Sequence, residues 1–169
     1  TLQAAARRWG VNDGDIVVAY DDAGSVAAAR AWWLLRRTGV DVRVLDGGLG
    51  FWTATGRPVQ SGEGVMPEGD VTLVESLVGE LSIDEDAALP AHGVLLDVRV
   101  APRYRGETEP IDPIAGHVPG AINLPAASHI AADGTMVDSA ALRAAFAEAG
   151  VTEGTQVAAY CVSGISAAH

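Results

Sequence analysis

Short apolar runs alternate with helical patterns along this chain. Residues 15–20 (DIVVAY) and 93–99 (GVLLDVR) are mostly apolar and continuous, which is typical of strands covered on both faces of a parallel sheet. Residues 25–37 are rich in Ala and Leu and close with two arginines before a glycine, which predicts a helix. Strands alternating with helices predict an α/β fold with a parallel sheet flanked by helices.

The remaining elements are predicted from shorter patterns. Helical segments are expected at 2–9, 49–55, 83–88 and 139–149, the last with Ser139 as N-cap. Further strands are expected at 42–45, 71–74, 121–124 and 156–160. A polar segment with two prolines, residues 103–117, predicts a loop.

The chain contains an internal repeat. Residues 1–29 align without gaps with residues 141–169, at an offset of 140 and with 12 identities in 29 positions. Glycine, valine and tyrosine are among the identities, which the alanine-rich composition alone does not explain. One copy of the repeat is therefore about 140 residues long.

The repeat predicts two tandem domains, both incomplete in this sequence. We expect residues 1–59 to be the C-terminal part of the first domain. Residues 60–70, rich in Gly, Pro and acid, predict a linker. Residues 71–169 are then the N-terminal part of the second domain.

The net charge of the chain argues against some classes of binding partner. The 169 residues include 22 acidic side chains and 11 arginines with no lysine, giving a formal charge of −11 and a pI of about 4.6. This balance argues against nucleic acid and against anionic membrane surfaces as partners. The sequence has neither a long apolar run nor a signal-peptide pattern, so we expect a cytoplasmic protein.

The chain has one cysteine, Cys161, which directly follows a predicted strand. A lone cysteine excludes an internal disulfide and a cysteine-based zinc cluster, and no motif predicts a metal or a cofactor. Backbone amides of the following loop can converge on one point and favour an anionic sulfur. A buried structural cysteine is the alternative. The repeat argues against a buried structural cysteine, because Asp21 fills the same position in the other copy and a carboxylate seldom replaces a core cysteine.

Two other cysteine chemistries are disfavoured. Thiol–disulfide exchange of the thioredoxin kind needs a second cysteine at position 164, which is glycine. Cysteine phosphatases use a C-x5-R loop, in which the arginine binds the phosphate. Here Ala167 occupies the position of that arginine. The same missing arginine argues against an arsenate or phosphate reductase.

Several motifs, in their order and spacing, resemble the tandem-domain rhodaneses, which are thiosulfate or 3-mercaptopyruvate sulfurtransferases. The first part of the chain is similar to the end of the family's non-catalytic domain at 20–24 (YDDAG), 32–35 (WWLL) and 44–48 (VLDGG). The second part is similar to the opening of the catalytic domain at 96–99 (LDVR), 103–106 (RYRG), 116–121 (GHVPGA) and Asn123.

The resemblance implies transfer of sulfane sulfur to cyanide or a thiol through a persulfide on Cys161. It implies that Arg103 binds the anionic group of the donor, with a surface salt bridge to Glu107 or Glu109 as the alternative role. Structural roles near the site are expected for Asp97, Arg99 and His117. The loop that would hold the persulfide consists of Val162, Ser163, Gly164, Ile165 and Ser166.

The resemblance leaves the donor open between thiosulfate and 3-mercaptopyruvate. Asp112 lies nine positions after Arg103, where mercaptopyruvate-type members tend to carry a second arginine, so at this position the chain is like the thiosulfate-type enzymes. Val162 and Ser163 replace the cations that thiosulfate-type loops usually have after the cysteine, and the serine is a mercaptopyruvate-type feature. A non-catalytic rhodanese-like binding or regulatory module is the alternative function.

Overall fold

The structure is a computed structural model that describes residues 1–74 and 79–169. Residues 75–78, which belong to the predicted second domain, lie outside the described residues. The chain divides into two compact units, Thr1–Gly79 and Glu80–His169. Each unit combines parallel strands with helices, so the predicted α/β architecture is confirmed. The predicted domain boundaries stay a prediction.

The elements are short. The helices are α1 (Leu2–Arg8), α2 (Val26–Arg36), α3 (Gly48–Ala54), α4 (Ile83–Ala88), α5 (Ala101–Tyr104) and α6 (Ser139–Glu148). The strands are β1 (Ile16–Ala19), β2 (Asp41–Val44), β3 (Val94–Asp97), β4 (Ile122–Asn123) and β5 (Val157–Tyr160). Three 3₁₀ helices cover Leu89–Ala91, Ala126–His129 and Ser166–Ala168.

In the first unit, β1 and β2 pair in parallel, with Ile16 opposite Asp41. Ala6 of α1, Leu35 of α2 and Val42 of β2 are buried together in one hydrophobic cluster. Burial of these apolar side chains is what holds the two helices against the sheet.

The expectation that β1 is covered on both faces is wrong. Val17 and Ala19 pack against the core of the first unit, whereas Ile16 and Val18 are more than half exposed. Alternate side chains of a strand point to opposite faces. Within the described residues, the Ile16 face of β1 is therefore open to solvent.

The strand predicted at 71–74 is also absent from the structure. Residues 71–74 pair with no strand and lie within the first compact unit. The Val71 amide donates to the Val11 carbonyl at 3.1 Å, and the Leu73 amide donates to the Gln3 side chain at 3.1 Å. Val71 is buried in the cluster around Ala6, so burial and contacts with α1 decide its conformation.

The second unit contains a three-stranded parallel sheet with the order β4-β3-β5. The central strand, β3, has apolar side chains on both faces. Leu95 packs with Ala121 on one face, and Leu96 packs with Leu124 on the other. A central parallel strand with two buried faces matches the continuous apolar pattern that predicted it.

Two further expectations need correction. Asp138, and not Ser139, caps α6, because its carboxylate accepts the amides of Ala140 and Ala141 at 2.9 Å. The segment predicted as a loop at 103–117 begins inside α5, where Pro102 stands in the first turn. Proline is compatible there because a first-turn amide needs no helical acceptor.

The backbone follows the internal repeat. The three glycines of the first copy have positive φ angles that the second copy reproduces: 80° and 85° at 10 and 150, 83° at both 14 and 154, and 68° and 73° at 24 and 164. A positive φ favours glycine because it has no Cβ. The two copies therefore share the same helix–turn–strand–turn conformation.

Candidate active site

Cys161 lies at the carboxyl end of β5, the edge of a parallel sheet where ligands bind in α/β proteins. Its side chain is half-buried and packs on the same face of the sheet as Leu96 and Val98. The Gly164 amide donates a hydrogen bond to Cys161 Sγ at 3.1 Å. The sulfur is thus held by the backbone of its own loop.

The loop that follows Cys161 turns sharply at Gly164, whose φ is +73°. Val162 and Ile165 are exposed, and a 3₁₀ helix begins at Ser166. Residues 162–166 contain no charged side chain. Any stabilisation that this loop gives to an anionic sulfur therefore has to come from amides and hydroxyls.

The repeat-related loop of the first unit holds an anion of its own. The Asp21 carboxylate accepts the backbone amides of Ala23, Ser25 and Ala28, each at 2.9 Å. Burial alone raises the pKa of Asp21, but these amides outweigh it and hold the pKa below its ordinary value. Gly48 lies so close that a Cβ there would come within 2.3 Å of the Asp21 carbonyl oxygen.

The two loops differ in backbone conformation at the residue that follows the glycine. Ser25, before α2, has a φ of +63°, whereas the equivalent Ile165 has a φ of −75°. The glycine before each of them has the same left-handed conformation. Cys161 thus occupies the position that an amide-bound carboxylate takes in the other unit.

A buried polar network lies beside the strand that carries Cys161. Asp97, at the end of β3, is fully buried and accepts hydrogen bonds from the Arg99 guanidinium, at 2.6 Å for the shortest, and from the Tyr160 hydroxyl at 2.7 Å. The Val118 amide donates to the same hydroxyl at 3.1 Å. The network connects β3, β5 and the loop before β4.

The network fixes the charge states of its members. Burial raises the pKa of Asp97, but the hydrogen bonds from Arg99 and Tyr160 outweigh burial and hold that pKa below its ordinary value. Burial and the hydrogen bond that the hydroxyl donates to Asp97 raise the pKa of Tyr160 to about 12. The hydrogen bond to Asp97 raises the pKa of Arg99. A carboxylate, a guanidinium and a neutral phenol result.

Arg103 lies in an ion-pair cluster. Its guanidinium pairs with Glu109 and, at 3.1 Å, with Asp112. Arg99 approaches the same two carboxylates at 3.4 Å. The amide of Asp112, the Arg103 guanidinium and the amide of Ile111 lower the pKa of Glu109 to about 2. The role of Arg103 in donor binding stays a prediction.

His117 packs against α5. Its ring stacks on Tyr104 with 3.8 Å between the centroids, and its Nδ1 donates to the Tyr104 carbonyl at 2.7 Å. The structural role expected for His117 stays a prediction. Glu107, the other partner considered for Arg103, pairs with Arg105 instead.

An open cavity of about 370 Å³ lies next to this network. Arg99, Tyr160 and residues 112–118 line it, and Cys161 does not. Successive residues of a strand point to opposite faces, so the side chains of Tyr160 and Cys161 lie on opposite faces of the sheet.

Within residues 1–74 and 79–169, no three His, Cys, Asp or Glu side chains converge to hold a metal ion.

Sequence reasoning missed Tyr160. The signal was present, because a tyrosine precedes both the cysteine and Asp21 in the repeat. The two tyrosines differ in the structure, since Tyr20 is 59% exposed and Tyr160 is half-buried on Asp97.

The helices of the described residues also include none that is long and apolar enough to cross a bilayer.

Fold and site define a class of α/β protein with a single cysteine on an amide-lined loop at the carboxyl edge of a parallel sheet. The family model of the rhodanese-like domain matches residues 1–55 and 80–169. The chain belongs to the rhodanese family.

Named relatives match nearly the whole chain. It is 43% identical over 173 residues to the putative thiosulfate sulfurtransferase SseB of Mycobacterium tuberculosis and 38% identical over 176 residues to the probable 3-mercaptopyruvate sulfurtransferase of Pseudomonas aeruginosa. Each match covers 99% of this chain and 61% of the relative, so the chain spans about three fifths of their length. The 3-mercaptopyruvate sulfurtransferase SseA of Escherichia coli matches in structure with a TM-score of 0.82 and 29% identity, over 97% of this chain and 63% of SseA.

We expect Asp21→Ala to destabilise the first unit by about 1–3 kcal/mol, because it leaves amides of the loop without their acceptor. Asp21→Asn should cost less, since its amide oxygen can keep part of the bonding. All four tryptophans lie between residues 9 and 52. Urea unfolding followed by tryptophan fluorescence therefore reports on this unit. An Asp21→Ala midpoint equal to that of the wild type would contradict the amide-bound carboxylate.

Tyr160→Phe should destabilise the second unit by about 1–3 kcal/mol, because Asp97 and the Val118 amide both lose a buried partner. The measurement is amide hydrogen exchange at Val118 and along β3, where protection should fall. Tyr20→Phe is the matched control, since it makes the same change at the exposed, repeat-related tyrosine. Equal protection in both variants would contradict the network.

The second unit should lose stability in acid between about pH 4.5 and pH 2. The pKa of Glu109 is lowered from 4.5 to about 2, so the folded state binds fewer protons than the unfolded state in this range. The contribution is complete above pH 4.5 and disappears as the pH falls through 2. Hydrogen exchange along β3 against pH should show this loss, and Glu109→Gln should flatten it. A variant with an unchanged slope would contradict the assignment.

Proposed function

We propose that the chain is part of a sulfurtransferase that moves sulfane sulfur from thiosulfate or 3-mercaptopyruvate to cyanide or a thiol acceptor, with Cys161 as nucleophile. One observation carries the proposal. Cys161 occupies the loop position at which the other copy holds the Asp21 carboxylate by three backbone amides. A loop of this conformation suits an anion, and a persulfide is an anion.

The first half of the reaction forms the persulfide. The Cys161 thiolate attacks the outer sulfur of thiosulfate or the thiol sulfur of 3-mercaptopyruvate, and a new S–S bond forms. With thiosulfate, the donor's S–S bond breaks and sulfite leaves with the electron pair. With 3-mercaptopyruvate, the C–S bond breaks and the carbon takes up a proton to give pyruvate.

The second half returns the enzyme to its starting state. Cyanide or a thiolate attacks the outer sulfur of the persulfide, and Cys161 leaves as thiolate. Amides of residues 162–166 stabilise the anionic sulfur in both halves, beginning with Gly164, which already donates to Sγ. Arg103 is proposed to bind the anionic group of the donor, while Asp97 and Arg99 hold the end of β3 next to β5.

The names of the similar proteins support this reaction class, because both thiosulfate and 3-mercaptopyruvate sulfurtransferases are among them. The first unit has Asp21 in place of the nucleophile. We infer that it is the non-catalytic partner of a tandem arrangement.

Incubation with thiosulfate or with 3-mercaptopyruvate should add one sulfur atom to Cys161, and cyanide should remove it as thiocyanate. Cys161 is the only cysteine of the chain, so the mass gain of the intact protein locates the sulfur. Cys161→Ser should abolish both the mass gain and thiocyanate formation.

The control is protein alkylated with iodoacetamide before the donor is added, which should behave like Cys161→Ser. Turnover by Cys161→Ser would contradict the assigned nucleophile. Absence of the adduct with both donors, in protein that iodoacetamide still alkylates, would favour the non-catalytic binding module instead.

A further inference from the structure

A histidine that the proposed reaction does not use packs against the apolar cluster behind Cys161. His129 ends the 3₁₀ helix Ala126–His129, and only 5% of it is exposed to solvent. Its Nε2 atom is buried and has no hydrogen-bond partner among residues 1–74 and 79–169. A buried polar atom without a partner is costly, so its presence at this position requires a physical reason.

Two aromatic rings pack against His129. The ring of Phe146, on α6, lies 5.4 Å away between centroids, and the ring of His169 lies 6.1 Å away at an interplanar angle of 18°. His169 directly follows the 3₁₀ helix Ser166–Ala168, which ends the Cys161 loop. The contact between the two histidines therefore connects this loop with the segment after β4.

The same packing extends to the candidate nucleophile. Phe146, Cys161 and Ala167 pack against one hydrophobic cluster, to which Ala126 of the His129 helix also belongs. Because protein interiors are closely packed, a displacement of His129 is transmitted to both ends of the cysteine loop.

The internal repeat shows that these rings belong only to the unit with the cysteine. Phe146 and His169 correspond to Ala6 and Ala29 of the first unit, at the offset of 140. Both alanines are buried, with 0% and 6% of their surface exposed. Small side chains that cannot titrate thus occupy these positions in the first unit, whereas the second unit has a ring that can take up a proton.

The surroundings of His129 favour its neutral ring. Burial, and after it the charge of the nearby His169, lower the pKa of His129 below the ordinary value of 6.5. In an imidazolium both nitrogens carry a proton, and the Nε2 proton would meet no acceptor among the described residues.

No counter-charge within the described part of the chain offsets a proton on His129. His169 is the only ionisable side chain there that acts on its pKa. The charged side chains of the following turn and of α6 with its cap point into solvent: Asp133, Asp138, Arg143 and Glu148. A protonated His129 would therefore lie in an apolar contact beside another histidine, which is unfavourable.

We propose that His129 positions the Cys161 loop and that proton uptake by this residue loosens the loop in mildly acidic solution. With a neutral ring, the contact among His129, Phe146 and His169 keeps the 3₁₀ helix after the loop in place, and the Gly164 amide stays on Cys161 Sγ. With a protonated ring, the charged side chain moves out of the apolar contact, and the helix loses this support. The effect on sulfur transfer rests on the proposed function, but the effect on the loop does not.

Proton linkage gives the direction of the pH dependence. The packed loop holds His129 at a lowered pKa, so it binds fewer protons than the loosened loop, in which His129 has its ordinary pKa. The packed loop is therefore fully stable above pH 6.5 and loses stability as the pH falls below that value. One proton changes the ratio of the two states by up to about tenfold per pH unit.

Amide hydrogen exchange of the full chain, followed by NMR and corrected for the intrinsic pH dependence of exchange, tests the proposal. Protection of the amides of residues 164–169 should fall by up to about tenfold per pH unit below pH 6.5, and the His129 ring should titrate in the same range. In His129→Phe, which keeps an aromatic ring in the contact, protection should stay constant over this range.

His92→Phe is the matched control, because it makes the same change at an exposed histidine of the second unit, before β3. It should leave the pH dependence of the loop as in the wild type. His169→Phe keeps a ring in the contact but removes the second charge, so the midpoint of the His129 titration should move up towards 6.5.

Equal losses of protection in the wild type and in His129→Phe would overturn the proposal. A His129 midpoint at or above pH 6.5 would overturn it as well, because the packed loop would then not exclude the proton. An unchanged midpoint in His169→Phe would contradict the coupling between the two histidines.

These measurements separate the positioning role from the chemistry, because they need no sulfur donor. A chain that transfers no sulfur would still show the pH-dependent loop. In an active chain, thiocyanate formation below pH 6.5 should fall more steeply in the wild type than in His129→Phe. Sulfur transfer by a chain whose loop protection does not depend on pH would overturn the positioning role and leave the proposed function standing.

Discussion

The buried ion pair between Asp97 and Arg99 holds together the part of the molecule on which the candidate site depends. Asp97 is fully buried, and hydrogen bonds from Arg99 and Tyr160 satisfy its carboxylate oxygens. Asn123 adds hydrogen bonds to the carbonyls of both Asp97 and Arg99 at 2.9 Å. Removing one partner of such a pair costs about 3–5 kcal/mol, because the other charge stays buried alone. The ends of β3, β4 and β5 are thereby fixed relative to one another, and Cys161 follows directly from one of them.

The internal repeat gives the loop around Cys161 a physical interpretation within the same chain. In the first unit, the loop amides hold the carboxylate of Asp21. In the second unit, a sulfur takes the place of that carboxylate and already accepts the Gly164 amide. Under the proposed function, the loop amides are satisfied by the Asp21 carboxylate in one copy and are available to the Cys161 thiolate in the other.

The charges around the site come from two sources that act in opposite directions. The backbone of the Cys161 loop offers amide dipoles, which attract an anion over a short distance. Side chains beside it contribute a net negative charge, and Asp112 brings that charge to the solvent boundary.

The sequence by itself determined the parallel α/β class, the repeat, most of the helices and strands, and the position of the cysteine at a strand end. These features are local, because they follow from periodicity, glycine positions and spacing along the chain. Tertiary structure alone decided that Val71 packs on the first unit, that one face of β1 is exposed, and that Tyr160 anchors Asp97. It also decided between Glu107 and Glu109 as the partner of Arg103 and added Asp112 as a second partner. Contacts of this kind depend on which charges and faces folding brings together, and residues distant in sequence supply several of them.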